Sequence, residues 1–581
     1  MLRPSPRSPT PWWLDSLLFL LLATAVTWPL AARLGEAIPL GTEDVATVPY
    51  AMTFSFGWVA DRAAHGLAGV WDAPIFWPTR GTFALSEPNL LGGLLTAPLT
   101  WVGGPGLGVG VFLLLSLALN GLVTLRVLQR LGLGALAAWA GGVGVLLLPA
   151  VHQELGVVPL VPLWGVIGTV ALAGWCAEAP SARRGAAVGV ALGCTYLLCA
   201  QYALFVAVVL GTAGLTLVRR PTGGLVAAAL VAVLGFGLVA GPVVVAQRAV
   251  VAEEPGFVRS GPEVRALAAH PRTFARVPWR QVVPIPGVAR EEAAGKAYHP
   301  GTGRLLLALL GLAWGLAVPG RRRTARFLGA AALASYAMAI APWLTVGSTS
   351  LWDAVSAVVP GYAQVRALSR WAVFVQASVV LLAAFGVQAI VERVAGRAPD
   401  GDDGGLTPDP RGRWRLALWL AAGLCALEIV PARSELVTLP ADERHAAWAR
   451  WVRDETPEEA VLVFLPMPAD GSVQAFADDA AAMLLFRSHE RPTAGGYSSF
   501  FPRPFRALRQ AAEGFPRGEV WEALHAHGVT HAVVPLEVVA ALPARVEVAV
   551  GDPATGRAVV VVPEPPTPAD PTPPPGSRPT P

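Results

Sequence analysis

Gly41-Thr42-Glu43-Asp44 and, further on, Trp71-Asp72-Ala73-Pro74-Ile75-Phe76-Trp77-Pro78, Arg80-Gly81 and Ser86-Glu87-Pro88-Asn89 lie in one stretch, Arg33 to Gly106. How that stretch is read decides the fold. It is too polar, and too often interrupted by Gly and Pro, to cross a bilayer. Yet it is rich in aromatic and carboxylate side chains, and apolar runs flank it on both sides. A long connection of this composition between two membrane segments is a place for chemistry at the membrane surface rather than a linker.

Outward from it, the chain reads as a polytopic membrane protein. Of 581 residues 54% are hydrophobic and 14% charged, and the mean hydropathy is +0.52. A soluble globular domain carries about a quarter charged residues. The spacing of apolar runs of ~20 residues predicts about eleven spans: Trp13–Ala32, Gly106–Leu125, Gly134–Pro149, Leu155–Trp175, Gly185–Cys199, Tyr202–Val218, Gly223–Val245, Arg304–Val318, Phe327–Val346, Trp371–Val391 and Trp414–Val430. Leu90–Val102, short and holding Pro98, reads as re-entrant or interfacial. Leu17–Leu30 has no convincing cleavage site and reads as an uncleaved first helix.

The net charge of +4 does not indicate nucleic acid. The arginines sit in short loops, where they set orientation. Basic loops at Arg126/Arg130, Arg183-Arg184, Arg219-Arg220 and Arg321-Arg322-Arg323 place the N-terminus in the cytoplasm of a multi-pass inner (plasma) membrane protein. The acids Glu36, Glu43, Asp44, Asp61, Asp72, Glu87 and Glu154 then fall outside. Lys296 is the one lysine among 44 basic residues, a bias ascribed to genome composition. Four cysteines in or beside apolar runs give no disulfide framework.

Beyond Pro431 the composition becomes that of a soluble domain. The expected organisation is therefore mainly α. A helical membrane domain covers 1–432, with the large first external loop at 33–106. A small extracytoplasmic α/β domain covers 433–562, and a disordered Pro-rich tail covers 563–581.

Several groups carry candidate chemistry. Glu43-Asp44 sits just past the outer end of the first span, and a carboxylate there suits a general base or a cation ligand. Adjacent residues point apart, so one of them faces a pocket; Asp44 is the choice. On spacing alone, two solvated acids flanking a helix end are the simpler account of the pair. Arg366 and Arg370, four apart before a span, suit a phosphate, with snorkelling to headgroups as the plain alternative. His152, Glu154, Asp72, Arg80 and Glu87 are further candidates for lining a substrate cavity. Trp58, Trp71, Phe76 and Trp77 fit an interfacial belt or a sugar-stacking wall. There is no nucleotide-binding glycine loop, no HExxH and no nucleophile elbow.

At these residues the chain resembles a family. Asp72 to Pro78, Gly81 to Glu87, Ala97-Pro98-Leu99, His152-Gln153-Glu154-Leu155, Pro360 to Arg370, Val463 to Pro468 and Ser488 to Ser498 are similar to an uncharacterised bacterial branch of the GT-C-type integral membrane glycosyltransferases, a group that includes protein O-mannosyltransferases and aminoarabinose transferases. The resemblance implies transfer of a sugar from a polyprenyl-phosphate donor to an extracytoplasmic glycan, lipid or protein acceptor, with no nucleic acid involved. It implies Asp44, with Glu43 second, as catalytic base or as ligand of a divalent cation (Mg or Mn). It implies Arg366 or Arg370 as the lipid-phosphate clamp. A transporter is disfavoured because the spans are nearly free of ionisable groups. A non-catalytic envelope-assembly protein is the other reading.

Overall fold

The computed structural model describes residues 11–218, 222–253, 257–277, 288–290, 296–395, 433–468 and 470–565, with Gly423, Glu428, Val430 and Pro431. Most of the expected eleventh span Trp414–Val430 and the tail from 566 lie outside these residues. The chain divides into two compact units: 1–71 with 83–439, and 72–82 with 440–581.

The first unit is helical. Ten of the expected spans coincide with helices, among them Trp12–Val26, Ala135–Leu146, Leu163–Glu178, Ala182–Leu198, Ala200–Leu217, Gly223–Glu253, Thr302–Ala317, Arg322–Ala339 and Ala372–Ala395. Six helical stretches among the described residues are long and apolar enough to cross a membrane. The protein is a multi-pass membrane protein.

Two features of the first loop depart from the sequence reading. Leu90–Val102 is helical and continues to Arg130, broken only at Gly103-Gly104, where Gly104 takes φ +78°. Preceding it, Thr47–Ala64 is a further helix, buried along most of its length. Its packing explains why a segment too polar to face lipid is still ordered. A Cβ on Gly92 would sit 2.9 Å from the Phe56 ring, and one on Gly93 2.7 Å from Val59. Two adjacent glycines therefore let the two helices approach closely. Trp58 belongs to this packing, buried and donating Nε1–H to the Val70 carbonyl at 2.8 Å.

The second unit holds a four-stranded sheet. Leu462–Phe464 runs parallel to His531–Pro535, which pairs antiparallel with Arg557–Val561, itself antiparallel to Val548–Asp552. Trp448, Val452, Leu462, Val533 and Val559 fill one face. This is the small sheet domain expected at the C-terminal end, and the compact unit that holds it takes up the chain again at Pro440. It also includes a segment of the first loop. Thr493 donates N–H to the Pro74 carbonyl (3.0 Å), Trp77 to Thr493 (3.0 Å) and Phe76 to Gly495 (3.2 Å). Phe76 is fully buried against Phe505, ring centroids 4.8 Å apart. It is core here, not a belt or a sugar wall. The loop is tied into the unit by backbone partners along 493–495 and by His527, whose Nε2–H donates to the Trp77 carbonyl at 3.0 Å.

Asp479 in this unit is buried, and burial lifts its carboxyl to about 8. An unfolded aspartate titrates near ~3.9. Between those values the unfolded chain releases a proton that the folded chain keeps, so the residue costs stability increasingly as pH rises. Asp479→Asn is expected to raise the thermal midpoint at pH 8.5 and leave it unchanged at pH 4. Equal effects at both, followed by tryptophan fluorescence, contradict this.

Candidate functional site

The first-loop acids are held by a short ladder. Ala37–Pro39 pairs antiparallel with Leu436–Thr438. Gly41 follows with φ +64°, and a Cβ there would lie 2.5 Å from the Gln153 carbonyl oxygen, so only glycine fits. Thr42 then donates both N–H (2.8 Å) and Oγ1–H (3.0 Å) to that same carbonyl. This double contact fixes the phase of the turn. Glu43 is left half-buried and Asp44 exposed.

Two glutamine amides then act as splints. Gln153 Nε2 donates to the Ala297 carbonyl (2.7 Å), and its Oε1 accepts the Ala297 N–H (3.2 Å). This two-bond pairing sets Lys296 beside Glu154, Nζ to Oε1 2.5 Å. Gln201 Nε2 donates to the Ala367 carbonyl (3.0 Å), and its Oε1 accepts from Arg370 Nη1 (2.6 Å). The Gln201 N–H donates to Glu87 Oε1 (3.2 Å). Both amide orientations follow from their partners, since a carbonyl only accepts and a guanidinium only donates. Segments near positions 43, 87, 154, 201, 296 and 370 thus reach one electrostatic cluster.

The charges there are interdependent. Burial alone would raise the Glu154 carboxyl, but Lys296 and then Arg370 overcome it and hold it below its ordinary 4.5. Burial would lower the Lys296 ammonium, but Glu154 overcomes that and raises it. The pair is therefore ionised. Glu43 is raised: burial dominates, Lys296 opposes it, the like charge of Glu154 adds to it, and Arg370 and Arg366 oppose. Glu87 is raised by burial, with Arg370 opposing. Among the described residues, Glu154 Oε2 and Arg370 Nε are buried without a hydrogen-bond partner.

The sequence candidates sort as follows. Glu43, Glu87, Glu154, Arg366 and Arg370 come together, with Glu43 rather than Asp44 facing the cations. Arg366 and Arg370 do not share a helical face, because Ala367 is extended and separates them. His152 is buried and donates Nε2–H to the Leu146 carbonyl (2.9 Å), which locks the helix end instead of lining a cavity. Asp72 and Arg80 belong to the second unit, where Asp72 Oδ1 accepts the Gly81 N–H (2.9 Å) across a turn. Sequence reasoning passed over Lys296, Gln153 and Gln201. The signal for Lys296 was present: in a chain that uses arginine at every other basic position, one lysine stands out.

The divalent cation implied by the resemblance can be tested against the donor set. Among the described residues no three His, Cys, Asp or Glu side chains converge as ligands. Glu154 Oε1 is already taken by an ammonium. These donors do not fit a dedicated cation site.

No family model matches the sequence, and no curated protein matches it. Solved structures do match. The arabinofuranosyltransferase AftD from Mycobacteria aligns with a TM-score of 0.53 at 16% identity, over 97% of this chain and 40% of AftD. The archaeal oligosaccharyltransferase AglB from Archaeoglobus fulgidus, in complex with an inhibitory peptide and a dolichol-phosphate, aligns with a TM-score of 0.50 at 12% identity, over 91% of this chain and 70% of that one. The chain has a GT-C fold. It spans well under half the length of AftD.

Proposed function

We propose that this GT-C-fold protein is a membrane glycosyltransferase that moves a sugar from a polyprenyl-phosphate donor to an acceptor hydroxyl outside the cytoplasm. The observation that carries the reading is the cluster itself. A half-buried carboxylate of raised pKa, Glu43, lies in the field of Lys296, Arg370 and Arg366, gathered from segments hundreds of residues apart. The dolichol-phosphate bound by the fold neighbour AglB supports a lipid-phosphate donor.

In this reading Glu43 takes the proton of the acceptor hydroxyl as its oxygen attacks the anomeric carbon. The bond from that carbon to the phosphate oxygen breaks, and the electron pair leaves on the polyprenyl phosphate. Lys296 and the unpaired Arg370 Nε–H receive the developing charge. Glu154 holds the Lys296 ammonium in place, and Gln201 aims Arg370. Mass spectrometry of envelope glycans and glycolipids from a deletion strain tests the assignment. A missing glycan restored by the wild-type gene supports it; an unchanged profile favours the envelope-assembly reading.

The pH dependence follows from the same charges. Glu43 must be ionised to act as base, and its pKa is raised, so the rate falls on acidification at a pH above the ordinary carboxylate range. Glu154→Gln removes a like charge from Glu43 and frees Lys296 to pair with it. The acid limb of that variant is expected at lower pH than in the wild type. A limb that stays in place or moves upward counts against Glu43 as the titrating group.

A further inference from the structure

At the other end of the helices, away from this cluster, lies a cavity of about 380 Å³ that nothing in the transfer reaction uses. Three helix ends form it: the start of Trp12–Val26, the end of Leu90–Arg130 and the end of Leu163–Glu178. The helix Ala135–Leu146, roughly 18 Å long at 1.5 Å per residue, stands between its Arg130 rim and Glu154. The lining is apolar except near Ser16 and two arginines. Trp12, largely exposed, and Trp175, half-buried, are part of the lining, amphipathic rings of the kind that sit at headgroup level.

The two arginines differ. Arg126 donates to Asp15, Nη2 to Oδ2 2.7 Å, and Asp15 is fully buried. Its charge is answered. Arg130 is exposed and makes no ion pair among the described residues; its guanidinium lies over the Trp175 ring, 4.8 Å from the centroid. The rim therefore keeps one uncompensated positive charge. Inside, Gly168 faces open space, since a Cβ added there meets nothing within 4 Å. The cavity opens to the surface beside Trp12 and Arg130, so an apolar chain can enter it from outside.

We propose that this cavity binds one anionic phospholipid from the arginine-rich leaflet, its phosphate on Arg130 and its acyl chain along the Gly168 wall. The apolar lining selects a lipid over a soluble phosphate. The net charge at the rim selects an anionic head over a zwitterionic one. A planar guanidinium flanked by a ring presents paired N–H donors to phosphate oxygens.

The test uses the purified full chain in detergent, mixed with defined lipids and read by native mass spectrometry. One phosphatidylglycerol is expected to stay bound under activation that strips phosphatidylcholine. Arg130→Gln should lower the bound fraction about tenfold, the loss of one charge-assisted contact. Gly168→Leu, which places a side chain in open space and leaves Arg130 intact, should remove the adduct while the thermal midpoint holds. Equal retention of both lipids overturns the proposal. So does undiminished phosphatidylglycerol in both variants, or glycerophosphate binding as tightly as the lipid. Each readout is independent of sugar transfer, so the site stands or falls apart from the proposed activity.

Discussion

Glu43→Gln is expected to abolish glycan formation while the protein accumulates normally, and Asp44→Asn is expected to leave transfer nearly intact. Removing a general base lowers a rate by typically ~10²–10⁴-fold. The two residues are adjacent in sequence, so the contrast isolates geometry from local composition. Glu43 is half-buried, with Lys296, Arg370 and Arg366 acting on it, whereas Asp44 is exposed. The measurement is in vitro transfer from an extracted polyprenyl-phosphate sugar, normalised to protein by immunoblot. The opposite ranking would move the base to Asp44 and remove the mechanism drawn around Glu43.

The second large effect is expected at Lys296. Lys296→Met removes the ion-pair partner of Glu154, only 4% exposed, and leaves it the weaker influence of Arg370. Breaking a fully buried ion pair costs ~3–5 kcal/mol. The lysine side chain is 36% exposed, so solvent screens part of this and about 2 kcal/mol is the better figure. Lys296→Met/Glu154→Gln removes both charges and should recover most of that stability. It should not recover transfer, because the leaving phosphate has lost a donor, a loss of roughly ~10²-fold. Recovery of both would make the pair a structural strut and nothing more. Lys296→Arg keeps the charge but replaces a compact ammonium with a planar fork. It should fold normally and transfer more slowly. A fully active Lys296→Arg enzyme would mean that the lone lysine is an accident of composition.

The membrane architecture was legible for a simple reason. Whether a run such as Ala200–Leu217 crosses a bilayer depends on its own length and apolarity, not on its neighbours. The strands of the second unit are legible too: the short apolar, β-branched runs Val461–Leu465, Thr530–Pro535 and Arg557–Val562 hold the strands Leu462–Phe464, His531–Pro535 and Arg557–Val561. Val548–Asp552 was missed because its run Val548-Ala549-Val550-Gly551-Asp552 is short and ends in turn residues. The helix Thr47–Ala64 was missed for a different reason. Its apolar face meets Gly92 and Gly93, and no pattern within the helix announces partners of that kind.

The sequence by itself determined a many-helix membrane protein with a soluble α/β unit, an acid pair in its first loop and a basic segment before a late span. Those are properties of single segments. Only the tertiary structure decided that Glu43 and not Asp44 turns inward, because Thr42 is pinned to Gln153, more than a hundred residues along the chain. It alone paired Lys296 with Glu154 through the amide of Gln153. It also assigned Phe76 to the core of the second unit. Charge coupling depends on separation in space and on burial, and chain folding fixes both over distances that no local pattern records.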